Sequence, residues 1–156
     1  MANTYTQIYI HTVFAVEGRQ SLIAKEHKVE IYKYMTEVVQ NQKQKVMSIN
    51  GMPDHVHLLI GLRPDIALSD LVRDVKAASS SLINDKRLVK AHFNWQRGFG
   101  AFSYSKSQVS TVAKYIENQE RHHAKRSFRD EYVALLKRFD VEYDPAYLFT
   151  FIDDDG

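Results

Sequence analysis

Cysteine is absent from the 156 residues, which excludes disulfides and thiolate metal sites and leaves imidazole, carboxylate and amide side chains as possible ligands. Net charge is almost absent as well. The 21 Lys and Arg against 19 Asp and Glu leave a formal +2, too little to announce nucleic-acid binding, so any basic surface must be local. No Lys or Arg precedes Arg19, and Thr, Gln and His interrupt the opening apolar stretch, so it does not read as a secretory leader. No apolar run reaches the length of a membrane span. Repeats and low-complexity segments are missing too. These absences lead us to expect a soluble, cytoplasmic protein with no membrane partner.

What is present is a hydrophobic content of 44%, enough for one domain over 1–156 with a real core. Its central part spans about 5–123, and a C-terminal helix with an acidic tail takes up 124–156. The most informative stretch is Gly51-Met52-Pro53-Asp54-His55-Val56-His57-Leu58-Leu59-Ile60-Gly61-Leu62. Gly51, Pro53 and Asp54 mark a turn, and the run that follows reads as a buried strand closed by Gly61. Strand side chains alternate, so His55 and His57 share one face while Val56, Leu58 and Ile60 point into a core on the other. Two imidazoles on a sheet face can grip a divalent metal from one side and leave other positions open. Ordinary structural histidines are the competing reading.

Taken in order, Tyr5–Val16 alternates as a first strand, with His11 on its less aliphatic face, either near a site or hydrogen-bonded within the structure. A helix over about Ala24–Gln42 presents Val29, Ile31, Tyr32, Met35 and Val38–Val39 to the sheet. Lys45–Asn50 forms a hairpin with the His55–Leu62 strand. A second helix, about Ser69–Ile83, starts at a Ser69 cap and buries Leu71, Val72, Val75 and Leu82. Its polar side carries Arg73, Lys76 and Ser79–Ser81, which either touch phosphates or face solvent. Lys86–Phe93 is a loop, and a fourth strand lies near Phe99–Tyr104. Gly98, Gly100 and Ser103–Ser107 are places where the chain can pivot, and the aromatics from Trp95 to Tyr104 either stack bases or fill a core. A helix over about Ser107–His122 has an apolar stripe (Val109, Val112, Ile116) and a polar one with Tyr115 and Gln119 at i, i+4. The basic cluster Arg121, His122, His123, Lys125, Arg126 and Arg129 suits phosphate neutralisation. A last helix, about Arg129–Phe139, sets Tyr132, Leu135, Leu136 and Phe139 on one side, ahead of the tail Asp153–Gly156. This order predicts an α+β, ferredoxin-like or RRM-like βαββαβ fold. Its four-stranded antiparallel sheet has two helices on one face, and the tyrosine-bearing helix lies over the face that carries the histidines.

Three segments together carry a family resemblance. Asp54-His55-Val56-His57-Leu58-Leu59 resembles the HUH motif of the single-tyrosine transposases of simple bacterial insertion sequences. Tyr115-Ile116-Glu117-Asn118-Gln119 resembles their nucleophile and the glutamine four residues later, and Trp95–Ser103 resembles the segment leading into that helix. The match runs from about Tyr5 to about His123.

The resemblance implies an enzyme that cuts and rejoins single-stranded DNA, often with hairpin ends, through a 5′-phosphotyrosine on Tyr115. It implies a Mg²⁺ or Mn²⁺ ion held by His55, His57 and Gln119, and a homodimer whose active sites are shared between subunits. Arg73, Lys76, Arg121, Lys125 and Arg126 are the candidate DNA contacts. Two alternatives stay open. One is a related nickase serving replication or the mobilisation of repeated palindromes. The other is a non-enzymatic nucleic-acid-binding module of the same topology, although such modules bind through sheet aromatics where this strand offers histidines.

Overall fold

Strict alternation in the two strands nearest the motif decides how the chain is layered. In the computed structural model, which describes residues 3–152, β1 (Tyr9–Ala15) lies centrally beside β3 (His55–Gly61), with β2 (Lys45–Met52) and β4 (Gly100–Tyr104) at the edges. The order β2-β3-β1-β4 is antiparallel throughout. With α1 (Lys25–Asn41) between β1 and β2, and α2 (Leu68–Asp85) between β3 and β4, this is the expected βαββαβ arrangement. The tail expected at Asp153–Gly156 lies outside the described residues.

One sheet face is apolar along β3. Val56, Leu58 and Ile60 share a core with Ile31, Met35 and Val39 of α1 and Leu71, Val72 and Val75 of α2. Burying a Leu, Ile or Val side chain contributes about 1.5–3 kcal/mol, so this layer carries much of the folding free energy. The opposite face is covered by α3 (Val109–Glu117), α4 (Gln119–His123) and α5 (Phe128–Arg138). There Leu59 packs with Val109, Val112 and Ile116. α5 comes so close to β4 that a Cβ on Gly100 would sit 2.7 Å from the Tyr132 ring. Close approach, rather than a pivot, therefore accounts for Gly100; Gly98 is the position with positive φ, at 81°.

Several local expectations are corrected. β1 starts at Tyr9, not Tyr5. α2 begins beyond Ala67 with no side-chain cap, and Ser69 lies inside the helix. On α2, Ile83 is buried where Leu82 was expected, and on α1 Val29 is exposed while Ile31, Tyr32, Met35 and Val39 are buried. Ser79, placed on the polar side from sequence, is fully buried: its hydroxyl donates to the Val75 carbonyl at 2.7 Å and accepts from the Trp95 indole at 2.9 Å. Trp95 also meets the Phe14 and Phe93 rings edge-on, so it serves the core.

The helix expected over Ser107–His122 is broken in two. Asn118 (φ −97°, ψ 28°) separates α3 from α4, and its side-chain amide donates to the Lys114 carbonyl at 2.9 Å. That local bond competes with the helix ladder, as short polar side chains do. Among the described residues no helix is long and apolar enough to cross a membrane.

Candidate active site

The histidine face is buried but polar. His11, His55, His57 and Gln119 are all 0% exposed, and Glu131 is 1% exposed. Unpaired polar groups in such a place cost several kcal/mol, so each must be matched, and nearly all are.

β3 presents the histidines, and its neighbours orient them. The two-residue turn Pro53–Asp54 returns the chain so that Met52 pairs with His55. The Asp54 carboxylate then accepts from His55 Nδ1 at 2.7 Å, leaving Nε2 facing the site. From β1, His11 Nε2 meets His57 Nδ1 at 2.7 Å, so His57 also turns its Nε2 inward. Phe128 lies flat on the His55 ring, with centroids 3.8 Å apart and an interplanar angle of 1°. Each histidine is thus held from behind by the nitrogen it does not present, the arrangement that fixes imidazole ligands in metal sites. The outer nitrogen of His11, Nδ1, is buried with no hydrogen-bond partner.

The helices close the site from above. α5 is capped by Ser127, whose side chain accepts from the Asp130 backbone N–H, and Glu131 lies in its first turn, where the positive end of the helix favours a carboxylate. Three imidazole Nε2 atoms converge on Glu131 Oε1: His57 at 2.9 Å, His123 at 3.0 Å and His55 at 3.3 Å. The other carboxylate oxygen accepts from the Gln119 amide at 3.1 Å and from the Tyr115 hydroxyl. Gln119 Oε1 faces His55 Nε2 at 3.2 Å. His122 stacks on the Tyr115 ring at 4.6 Å.

These contacts set the protonation states. For Glu131 burial favours the neutral acid, but the imidazoles of His57, His123 and His55 outweigh it and hold the carboxyl far below its ordinary range. Burial likewise opposes charge on His55, yet the Asp54 and Glu131 carboxylates raise its pKa to about 9. Burial lowers the pKa of His57 and lowers that of His11 further. The Tyr115 phenol is pushed far up, first by burial and then by the Glu131 charge, so it holds its proton at neutral pH.

The residues also fit a divalent cation. One donor atom each from His55, His57, His123 and Glu131 lies within 4.8 Å of all the others, close enough for a single ion to bridge. Nitrogen and carboxylate donors suit first-row divalent metals.

The positions named from sequence divide clearly. Tyr115, His55, His57 and Gln119 come together. Arg126 and Lys125 line a cavity beside His123 and Asp54, and Arg121 is exposed on α4. Arg73 sits on α2, across the sheet, paired with Asp70 and Asp74. Lys76 reaches the Gln96 and Gly98 carbonyls and lies over the Phe14 ring. Sequence reasoning missed Glu131 and read His123 only as part of a basic cluster. The available signal was a charged residue at helical spacing within the buried stripe Phe128, Tyr132, Leu135.

Comparison with known proteins bears on the family of the chain. A family described as IS200-like transposases matches residues 4–119. The chain is 24% identical over 123 residues to the ISDra2 transposase TnpA of Deinococcus radiodurans, covering 72% of this chain and 84% of that protein. A crystal structure of a D. radiodurans protein assigned as a transposase superposes with a TM-score of 0.58 at 20% identity, over 75% of this chain and 94% of that one. The structure of a REP-associated tyrosine transposase bound to a REP hairpin superposes with a TM-score of 0.60 at 14% identity, over 96% of this chain and 93% of that one.

Proposed function

The chain belongs to the family of IS200-like transposases, enzymes of DNA transposition, and from that premise we propose that it cleaves and rejoins single-stranded DNA through a 5′-phosphotyrosine on Tyr115. The observation that carries this reading is the Tyr115 hydroxyl bonded to the carboxylate on which three imidazoles converge. A phenol is a weak nucleophile at neutral pH and needs an activating group beside it.

In this reading Tyr115 Oη attacks phosphorus and the bond from phosphorus to O3′ breaks. Glu131 Oε2, already the acceptor of the hydroxyl, orients Oη, the phenolic proton passes to solvent through the cavity that Tyr115 lines, and the departing oxygen leaves as a 3′-hydroxyl once it has taken a proton. The phosphotyrosine retains the bond energy, so a second 3′-hydroxyl rejoins the strand without ATP. His55, His57, His123 and Glu131 hold a Mn²⁺ or Mg²⁺ ion, with Gln119 beside them; a nitrogen-rich set favours Mn²⁺. When bound, the ion supplies positive charge that favours the phenolate and the charge developing on phosphorus. The closed, dry setting makes that charge count for more than it would in water.

Two finer choices belong here. The single chain gathers Tyr115 against its own histidines; a homodimer exchanging the Tyr115 helix would assemble the same constellation from two chains. The second concerns the biological task. Likeness to the REP-associated structure extends along 96% of the chain, past residue 119 and through α5, which supplies Glu131. That favours, as a second reading, the same chemistry serving short repeated palindromes, with a DNA hairpin as the substrate. Incubating the protein with labelled single-stranded hairpins and Mn²⁺ tests the chemistry that these readings share. A covalent adduct on a hairpin with single-stranded flanks is expected from the wild type and not from Tyr115→Phe; binding without cleavage would point to the non-enzymatic module.

A further inference from the structure

Two cavities flank the His/Glu cluster, and only one of them contains Tyr115. The first, about 520 Å³, lies between α3 and α5. The second, about 480 Å³, lies on the side of Asp54 and His123. Arg126 borders both. Both volumes fall in the range of about 300–1,000 Å³ usual for small-ligand sites.

The Tyr115-side cavity combines what a nucleotide needs. Val112, Ala134 and Leu135 give it apolar walls, and Tyr104 adds an aromatic one. Arg126 and Arg138 bring positive charge, and neither is ion-paired with a carboxylate among the described residues. Gln108 uses its carbonyl oxygen to accept from Ser105, which leaves its amide N–H groups as donors for a base edge.

The geometry of displacement then assigns the two sides. Attacking and leaving oxygens lie roughly in line on opposite sides of phosphorus. With Tyr115 attacking, the departing O3′ and its nucleotide lie away from Tyr115, toward the Asp54–His123 side. The nucleotide that keeps its 5′-phosphate, and stays joined to the tyrosine, lies beside it. Resting on the tyrosine reading above, we propose that the α3–α5 cavity is a subsite for the 5′-phosphorylated nucleotide immediately 3′ of the cleavage position. Its base lies against Tyr104 and Ala134, its 5′-phosphate lies at Tyr115 beside Arg126, and its 3′-phosphate lies by Arg138.

The test uses the full chain and two probes, thymidine 5′-monophosphate and thymidine 3′-monophosphate, followed by chemical-shift perturbation in NMR titrations. The 5′-nucleotide is expected to perturb Tyr104, Ala134 and Arg138. Ala134→Trp, which fills the cavity, should weaken its binding at least about tenfold while leaving the 3′-nucleotide unaffected. Arg138→Gln is the second variant, should the tryptophan disturb folding, and should weaken the 5′-nucleotide in the same sense. In parallel, an oligonucleotide abasic just 3′ of the cut should form adduct about tenfold more slowly than the intact strand, a loss of the size expected when a stacked base is removed. Absence of 5′-nucleotide binding, or perturbations confined to the Asp54–His123 side, would overturn the subsite even where the wild type forms adduct. Binding at the cavity without any adduct would instead remove the tyrosine reading and overturn the assignment to a cleavage position, leaving only a site for a 5′-nucleotide.

Discussion

The two faces of β3 are built from alternate residues of one strand and are equally dry, yet beyond the apolar packing of Leu59 the second differs from the first in kind. Val56, Leu58 and Ile60 meet α1 and α2 in an apolar layer. One residue out of phase, His55 and His57 meet Gln119, His123, Tyr115 and Glu131 in a layer of imidazoles, an amide, a phenol and a carboxylate. Replacing a buried polar network with well-packed apolar residues is often neutral or stabilising, so stability does not explain the second layer. Its structure makes sense as a site for a cation and a reacting oxygen. One face holds the fold, and the other is held by it.

The sharpest way to break that contrast is to truncate each face. Leu58→Ala should cost about 2–5 kcal/mol of stability while the folded fraction keeps its Mn²⁺ affinity, measured by denaturation and calorimetry. His57→Ala should abolish adduct formation and lower Mn²⁺ affinity at least about tenfold, and His55→Ala should do the same. Unchanged Mn²⁺ affinity in both histidine variants would erase the distinction between the faces. Glu131→Gln keeps the shape and removes the charge. A smaller loss of Mn²⁺ affinity and a slower adduct are expected, because Gln119, His55, His57 and His123 remain in place.

Protons offer a third lever, through the buried histidines of the polar face. His55 has an ordinary value of 6.5 and a folded value of about 9. Its contribution is complete below pH 6.5 and is lost as pH rises toward 9. His57 and His11 are lowered, so their penalties appear only below 6.5. Lys76, lowered to about 8 by burial, acts in the opposite sense from pH 8 upward. Between pH 6.5 and 8 the protein in chelator should therefore lose about 1.4 kcal/mol per pH unit. Saturating Mn²⁺, which displaces the proton from His55, should flatten the slope. A flat profile in chelator would mean that His55 is not held protonated by Asp54 and Glu131.

Much of this was legible in the chain. Alternation in β3 placed His55 and His57 together, and the Tyr115–Gln119 spacing placed the other half of the motif, even though Asn118 breaks the helix between them. The element order gave the βαββαβ arrangement. What the residues could not show is which distant group arrives above the sheet. Glu131 follows Tyr115 by sixteen positions across a turn, and only the docking of α5 on β4 at Gly100 and Tyr132 brings its carboxylate to the histidines. The partial burial of Lys76 and the full burial of Ser79 were hidden for the converse reason. A polar side chain on a helix reads as exposed until a second segment, here Trp95–Gly98, closes over it.

Smaller effects sharpen the outer parts of the polar face. Arg126→Ala should weaken single-strand binding and reduce its salt dependence, because Arg126 borders both cavities beside the cluster. Arg73→Ala, on the far side of the sheet and exposed, should change stability by no more than about 0.5 kcal/mol and affect DNA binding least, as anisotropy titrations would register.

Nine tyrosines compete for one role, and the account names a single one. The direct measurement is to trap the covalent adduct on single-stranded hairpin DNA, digest it and locate the nucleotide-bearing peptide by mass spectrometry. Mixing His57→Ala with Tyr115→Phe subunits in the same assay reports whether two chains share a site, since restored cleavage requires exchange. The account predicts a nucleotide on Tyr115, beside Glu131. A nucleotide on Tyr104 or Tyr132 instead would contradict it.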